Sequence, residues 1–294
     1  VIARYAAHPA VFLWTVMNEY ERYPDGKYRY DGASDDAWAR SMAAAFRAVD
    51  PHGHPTTVHH KSTAPRWDVN LKDEVEVANG LMGKRFGTSA ELDVITHQHN
   101  TYGGATWIAS PVPGYWDGPA IGVQQAIWSD RRYNKPVINT ENGYEWLEGA
   151  PPMYGNQIHS AAKCRRAAWR IFVAGGAAYA AGFQGTWNGL PGISLASMGW
   201  APQVAHYVAF IAKVDFRSMN PAQELVNSPN LCLAKPGSEY VVYAPSGGLI
   251  ELNLSSASGA FAAEWFNPRT GECSSPLVIQ GGAPISIKAP DAGD

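Results

Sequence analysis

Lys135-Pro136-Val137-Ile138-Asn139-Thr140-Glu141 is a short apolar, strand-like run closed by a carboxylate, and Phe12-Leu13-Trp14-Thr15-Val16-Met17-Asn18-Glu19 repeats that arrangement near the start of the chain. A carboxylate placed where a buried strand meets a loop lies at the end of the sheet where parallel (β/α) barrels keep their chemistry. Each glutamate is followed by a loop-like stretch rich in aromatic and polar residues. These are Tyr20-Glu21-Arg22-Tyr23-Pro24-Asp25-Gly26 after the first and Asn142-Gly143-Tyr144-Glu145-Trp146 after the second.

Around these two strands, from Val11 to about Val214, apolar runs alternate with helical stretches, the pattern of βα units in a parallel sheet. Ser34 is read as the N-cap of the first long helix, with Asp35 and Asp36 in its first turn. Trp38, Met42, Phe46 and Val49 recur at three- and four-residue spacing as its apolar face, and Pro51 with Gly53 ends it. Thr56–His60 and Asp93–His97 read as the next strands. A helix over Pro119–Tyr133 then leads to the Glu141 strand, and one over Gln157–Val173 to a small-residue strand, Ala177–Phe183. A last helix covers Pro202–Val214. Five strand–helix units are visible, whereas a complete barrel has eight. In the usual order they correspond to the fourth through eighth strands of a (β/α)8 TIM barrel, expected over residues 1–217 with its first three strands absent from this chain.

From Asn220 the period changes to short alternating runs: Leu231–Ala234, Tyr240–Ala244, Leu249–Leu254, Ala262–Phe266, Leu277–Ile279 and Ile285–Ile287. Gly237-Ser238, Ser246-Gly247-Gly248, Pro268-Arg269-Thr270-Gly271 and Gly281-Gly282 separate them, as in a small antiparallel β-sandwich. Residues 218–294 are therefore expected to form a second domain of a size that can fold alone. It holds one of the 11 tryptophans, Trp265, so aromatic platforms concentrate in the first domain.

Composition narrows the function classes. The 294 residues are 46% hydrophobic, with 23 basic against 26 acidic side chains and a formal net charge of -3. No run of Lys and Arg is long enough for a phosphate backbone, so no nucleic-acid partner is expected. The longest apolar stretch, Ala167 to Ala181, is broken by Arg170 and holds several small residues, so it reads as packed helix and strand rather than a membrane span. The segment Val1-Ile2-Ala3-Arg4-Tyr5 lacks a charged region followed by an apolar one, so no signal peptide is read there and localisation stays open, a secreted or periplasmic setting fitting the reading. Cys164, Cys232 and Cys273 share no metal-ligand spacing and are expected to be buried free thiols.

Cleaving a glycosidic bond needs one carboxylic acid to protonate the leaving oxygen and a second carboxylate at the anomeric carbon, and Glu19 and Glu141 can supply them. His8-Pro9-Ala10-Val11-Phe12 through Trp14 and Asn18-Glu19 resembles the fourth strand of retaining clan-A glycoside hydrolases, and Lys135-Pro136-Val137-Ile138 through Glu141 resembles their seventh. The finer resemblance rests on Asn142-Gly143-Tyr144-Glu145 and on Trp265-Phe266-Asn267-Pro268-Arg269-Thr270-Gly271. It is to the apiosidase-like barrel family and the small β domain that follows it, sometimes labelled collagen-binding. This resemblance implies a glycosidase with Glu19 as acid/base, Glu141 as nucleophile and Asn18 on the sugar 2-hydroxyl. An oligo- or polysaccharide is then the substrate.

His97 and His99 share one side of a strand by period two, and with His59 and His60 nearby a metal site is conceivable. No zinc spacing occurs, however, and no metal or cofactor is expected. His97 is read instead as a substrate hydrogen-bonder or as a partner that tunes a glutamate, and His99 as a further substrate contact. Tyr102, Trp107, Tyr144 and Trp187 are candidates for stacking on a sugar face, with core packing as the alternative for each. An open parallel edge invites pairing of two copies into a homodimer. Two rival readings are a non-catalytic carbohydrate-binding barrel remnant and a scaffold whose sandwich mediates adhesion.

Overall fold

A computed structural model of the chain describes residues 1–18, 20, 32–59, 81–97, 127–128, 130–141, 144–145, 160–183 and 194–293. The first 200 or so residues carry α1 (Ile2–Tyr5), β1 (Trp14–Thr15), α2 (Gly32–Val49), β2 (Thr56–Thr57), α3 (Leu81–Phe86), β3 (Ile95–His97), β4 (Val137–Asn139), β5 (Tyr144–Glu145), α4 (Ala161–Val173), β6 (Ala178–Tyr179), β7 (Gly182–Phe183) and α5 (Trp200–Ile211). Every strand pair described in this part is parallel: β1 with β2, β3 with β4, β4 with β6, and β5 with β7. All residues of β2, β3 and β4 are buried, as parallel strands covered on both faces must be.

Side chains join the sheets. Thr57 Oγ1 donates to the carbonyl of Val94 at 2.8 Å, and the Asp93 carboxylate accepts from the Thr56 amide at 2.9 Å, which sets β2 beside β3. Ahead of β4, the Lys135 ammonium donates to the carbonyls of Phe86 at 3.2 Å and Leu92 at 2.5 Å, closing the segment that enters β3. The strands expected at 56–60 and 93–97 are thus present but shorter. Much of the expected helix over 119–133 lies outside the described residues.

Helix α2 corrects two expectations. It begins at Gly32, so Ser34 lies within its first turn and is not the cap. Its buried side is Asp36, Ala39 and Ala43, whereas Trp38 is 42% and Val49 61% exposed. The helical period was legible, and Met42 and Phe46 of the expected face are half-buried, but Trp38 and Val49 are not on the inner side. Alanines let the helix lie close to the sheet, and Asp36 is drawn inward by the Tyr20 hydroxyl at 2.8 Å and Arg85 Nη2 at 2.7 Å.

Helix α4 is covered on nearly all sides. Ser160 caps it, its Oγ accepting from the Lys163 amide at 3.3 Å. Ala167, Ile171 and Ala174 join the core formed with Ala39, Val58, Ile95 and Val137. Trp169, Phe172 and Val173 face the other way, into a second core.

That second core takes residues from β9 and β10, two of the C-terminal strands β8 (Asn220–Pro221), β9 (Leu231–Lys235), β10 (Glu239–Tyr243), β11 (Leu249–Asn253), β12 (Ala260–Ala263), β13 (Leu277–Gln280) and β14 (Pro284–Lys288). They pair antiparallel as β8-β9-β10, β11-β14 and β12-β13. All six expected strands are present, and β8 adds one that alternation did not reveal. Strand period two divides β9 and β10 between two cores. Leu231, Leu233, Val241 and Tyr243 pack on α4, while Cys232, Ala234, Tyr240 and Val242 pack with Leu252, Leu254 and Phe261. Trp169 stacks on Tyr243 with centroids 6.1 Å apart and meets the edge of Phe210 at 4.9 Å. Truncating so buried a Trp to Ala is expected to cost about 3–5 kcal/mol. Arg131 adds a polar tie, donating to the Gly175 carbonyl at 2.7 Å and the Asn220 side chain at 2.8 Å. All three cysteines are free, but Cys273 is exposed on the turn-rich segment after β12, contrary to the expectation of burial.

Candidate active site

The carboxyl ends of β1, β2, β3 and β4 bring chemistry-bearing residues together, the end at which parallel α/β sheets bind ligands. Glu141 follows β4 by two residues and His59 follows β2 by two. His59 Nε2 lies 3.6 Å from Glu141 Oε2, with the two side chains only 11% and 17% exposed. The backbone of the same histidine holds the segment after β1. Its amide donates to the Met17 carbonyl at 3.2 Å, and its carbonyl accepts from the Tyr20 amide at 3.2 Å. Met17 and Tyr20, which flank Asn18 and Glu19 in sequence, are therefore both held by one residue that also faces Glu141. Tyr20 is buried and anchored further through its hydroxyl to Asp36, with Arg85 5.3 Å from its ring centre.

The expected residues fare differently. Asn18 is exposed in the turn after β1. His97, the last residue of β3, is fully buried with its Nε2 2.9 Å from Asp130 Oδ2, an aspartate rather than either expected glutamate. Its carbonyl accepts from the Thr140 amide at 2.9 Å, one residue before Glu141. Tyr144 is half-buried on β5 with its ring against Gly182, where any Cβ would collide with it. Glu19, His99, Tyr102, Trp107 and Trp187 lie outside the described residues.

Glu145, next to Tyr144, is a structural carboxylate. It accepts from the amides of Gly199 at 2.7 Å and Trp200 at 2.8 Å and so caps α5. Burial raises its pKa, and these two hydrogen bonds only partly oppose the rise.

Sequence reasoning had treated His59 only as an accessory to a metal site. Its position two residues past a strand, the same as that of Glu141, is the signal that could have found it. Asp130 carries no such local signal, because its partner is distant in sequence. Among the described residues no three His, Cys, Asp or Glu side chains converge as a metal site requires, and no helix is long and apolar enough to cross a membrane. A cavity of about 660 Å³ lies in the C-terminal part, lined in part by Tyr240, Phe261, Trp265 and Phe266, and includes none of the expected site residues.

Comparison with known proteins bears on the family and the fold. Residues 221–292 match a family model for the collagen-binding domain attributed to a collagenase. A solved glycoside hydrolase superposes with a TM-score of 0.74 at 15% identity, covering 99% of this chain and 64% of its own. A glycoside hydrolase family 5 structure from Bacteroides vulgatus gives 0.73 at 16% identity, covering 99% and 62%. The chain thus spans under two-thirds of the length of either, and at such identity the likeness speaks for the fold alone. No curated protein matches the chain. Residues 1–204 match the family model described as the apiosidase-like catalytic domain, and the chain belongs to that family.

Proposed function

We propose that this chain is a glycosidase that cleaves O-glycosidic bonds of an oligo- or polysaccharide with retention of configuration. The observation that carries the reading is the placement of Glu141 at the carboxyl end of β4, facing the histidine that holds the residues on both sides of Glu19. In this reading β1, β2, β3, β4 and β6 are the fourth to eighth strands of a (β/α)8 barrel over residues 1–217, and residues 218–294 form an appended β-sandwich.

The Glu141 carboxylate attacks the anomeric carbon as the glycosidic C–O bond breaks, and the departing oxygen takes the proton of Glu19. Glu19, now a carboxylate, removes a proton from water. That water attacks the anomeric carbon and releases Glu141, so two inversions give net retention. Asn18 hydrogen-bonds the 2-hydroxyl, while His99, Tyr102, Trp107, Tyr144 and Trp187 contact the sugar. His97 acts through the Thr140 amide on the strand end that presents Glu141.

Hydrolysis of a panel of aryl glycosides and plant polysaccharides by wild type, Glu19→Ala and Glu141→Ala tests this reading. Each variant is expected to lose activity on the order of 10²–10⁴-fold. Azide should rescue both, giving a glycosyl azide of retained configuration from Glu19→Ala and of inverted configuration from Glu141→Ala. Glycan binding without wild-type turnover on any substrate would move the assignment to a binding protein.

A further inference from the structure

We propose that His59 is the positioning residue of the nucleophile, linking Glu141 to the segment that carries Glu19; this rests on the glycosidase reading above. Three observations bear on this one residue. Its ring nitrogen lies 3.6 Å from Glu141 Oε2 where both side chains are largely shielded from water, so the contact is screened far less than one on the surface. Its backbone makes the hydrogen bonds to Met17 and Tyr20, which do not depend on the ring. The strand lying between β2 and β4 ends in His97, which is engaged with Asp130.

The ring therefore reaches from β2 past β3 to the end of β4, while the main chain of the same residue grips the end of β1. When substrate closes this 3.6 Å gap to hydrogen-bond distance, the ring fixes the plane of the carboxylate through Oε2 and leaves Oε1 to the anomeric carbon. Such contacts are commonly looser without substrate and close when it binds. A misplacement of about 1 Å in a reacting group can cost 10²-fold in rate.

The probe is the 4-nitrophenyl glycoside that the wild type turns over best. His59→Ala is expected to lower kcat on the order of 10²-fold with KM little changed. His59→Gln, whose amide can still donate to the carboxylate, should regain much of the loss. Both should melt near the wild-type temperature, because the backbone clasp on residues 17 and 20 remains.

The deciding measurement places His59→Ala in a Glu141→Gly background with azide. There azide nitrogen bonds to the anomeric carbon as the C–O bond to nitrophenolate breaks and the phenolate leaves with the electron pair. No Glu141 carboxylate remains to be positioned, so the rescued rate should be the same with or without the ring. A rescued rate that also falls would overturn the proposal, since His59 would then act on the sugar or the fold. Wild-type kcat in His59→Ala would overturn it as well, with the glycosidase reading intact. Absence of turnover by the wild type would overturn both. If His59→Ala does not fold, His59→Gln and His59→Asn carry the same comparison.

Discussion

Asp130 sets its Oδ2 2.9 Å from His97 Nε2, with both side chains wholly excluded from water. The same oxygen accepts from the Gly83 amide at 2.9 Å, so a single carboxylate ties α3 to the end of β3. Asp130→Ala removes the carboxylate beside a buried ring and the acceptor of a buried amide. The expected cost is about 3 kcal/mol, read as a lower urea midpoint with an unchanged slope. A change below about 0.5 kcal/mol, the scale of an ordinary surface substitution, would show that the pair carries no stability.

What the sequence revealed depended on how local each determinant is. Five of the six strands from Leu231 to Lys288 were legible nearly to the residue, because antiparallel alternation and turn glycines act within a few positions, whereas the strand expected at Ala262–Phe266 lies at Ala260–Ala263. The position of Glu141 just past a buried strand was legible from a pattern of equal locality. Trp38 and Val49 were misplaced on α2 because its inner side is set by Asp36, which turns inward toward Tyr20 and Arg85, the latter 49 positions away. The neighbours of His59 were not legible because they lie past the ends of β1 and β4, far away in sequence. The second core was invisible for a related reason: period two marked which residues of β9 share a face, but nothing in the strand said that one face would meet Trp169.

Cys273 is exposed, whereas Cys164 and Cys232 are buried, and burial pushes the Cys232 thiol up to about 12 and the Cys164 thiol higher. Thiolate is the reactive form. One of the three thiols should therefore react with Ellman's reagent in the native protein and all three in guanidinium. Rapid release of more than one equivalent from the folded chain would contradict the packing around α4 and β9.

Glu145 yields a stability change with a definite sign. Burial, only partly opposed by the amides of Gly199 and Trp200, raises its folded pKa above the ordinary 4.5. A carboxyl whose folded pKa is raised contributes stability that is fully present below the unfolded value and is lost as pH rises through the folded one. The advantage of wild type over Glu145→Gln should thus be largest below pH 4.5 and shrink as pH climbs through the raised value. Thermal melts of both proteins from acid to neutral pH measure it. An advantage that grows toward neutrality would mean that the two amide hydrogen bonds, rather than burial, dominate.

Gly271 has φ +76°, and a Cβ there would run into the imidazole of His206 on α5. The turn it closes is otherwise well bonded, its amide donating to the Asn267 carbonyl at 2.8 Å. Alanine in the left-handed region costs about 1–2 kcal/mol, and the collision adds to it, so Gly271→Ala should lose about 2–3 kcal/mol. The two contributions separate in a cycle with His206→Ala. Removing the imidazole clears the space but leaves the backbone strain, so adding Gly271→Ala to His206→Ala should cost only about 1–2 kcal/mol. If it costs as much in the His206→Ala background as in the wild type, the turn does not rest against α5 as described.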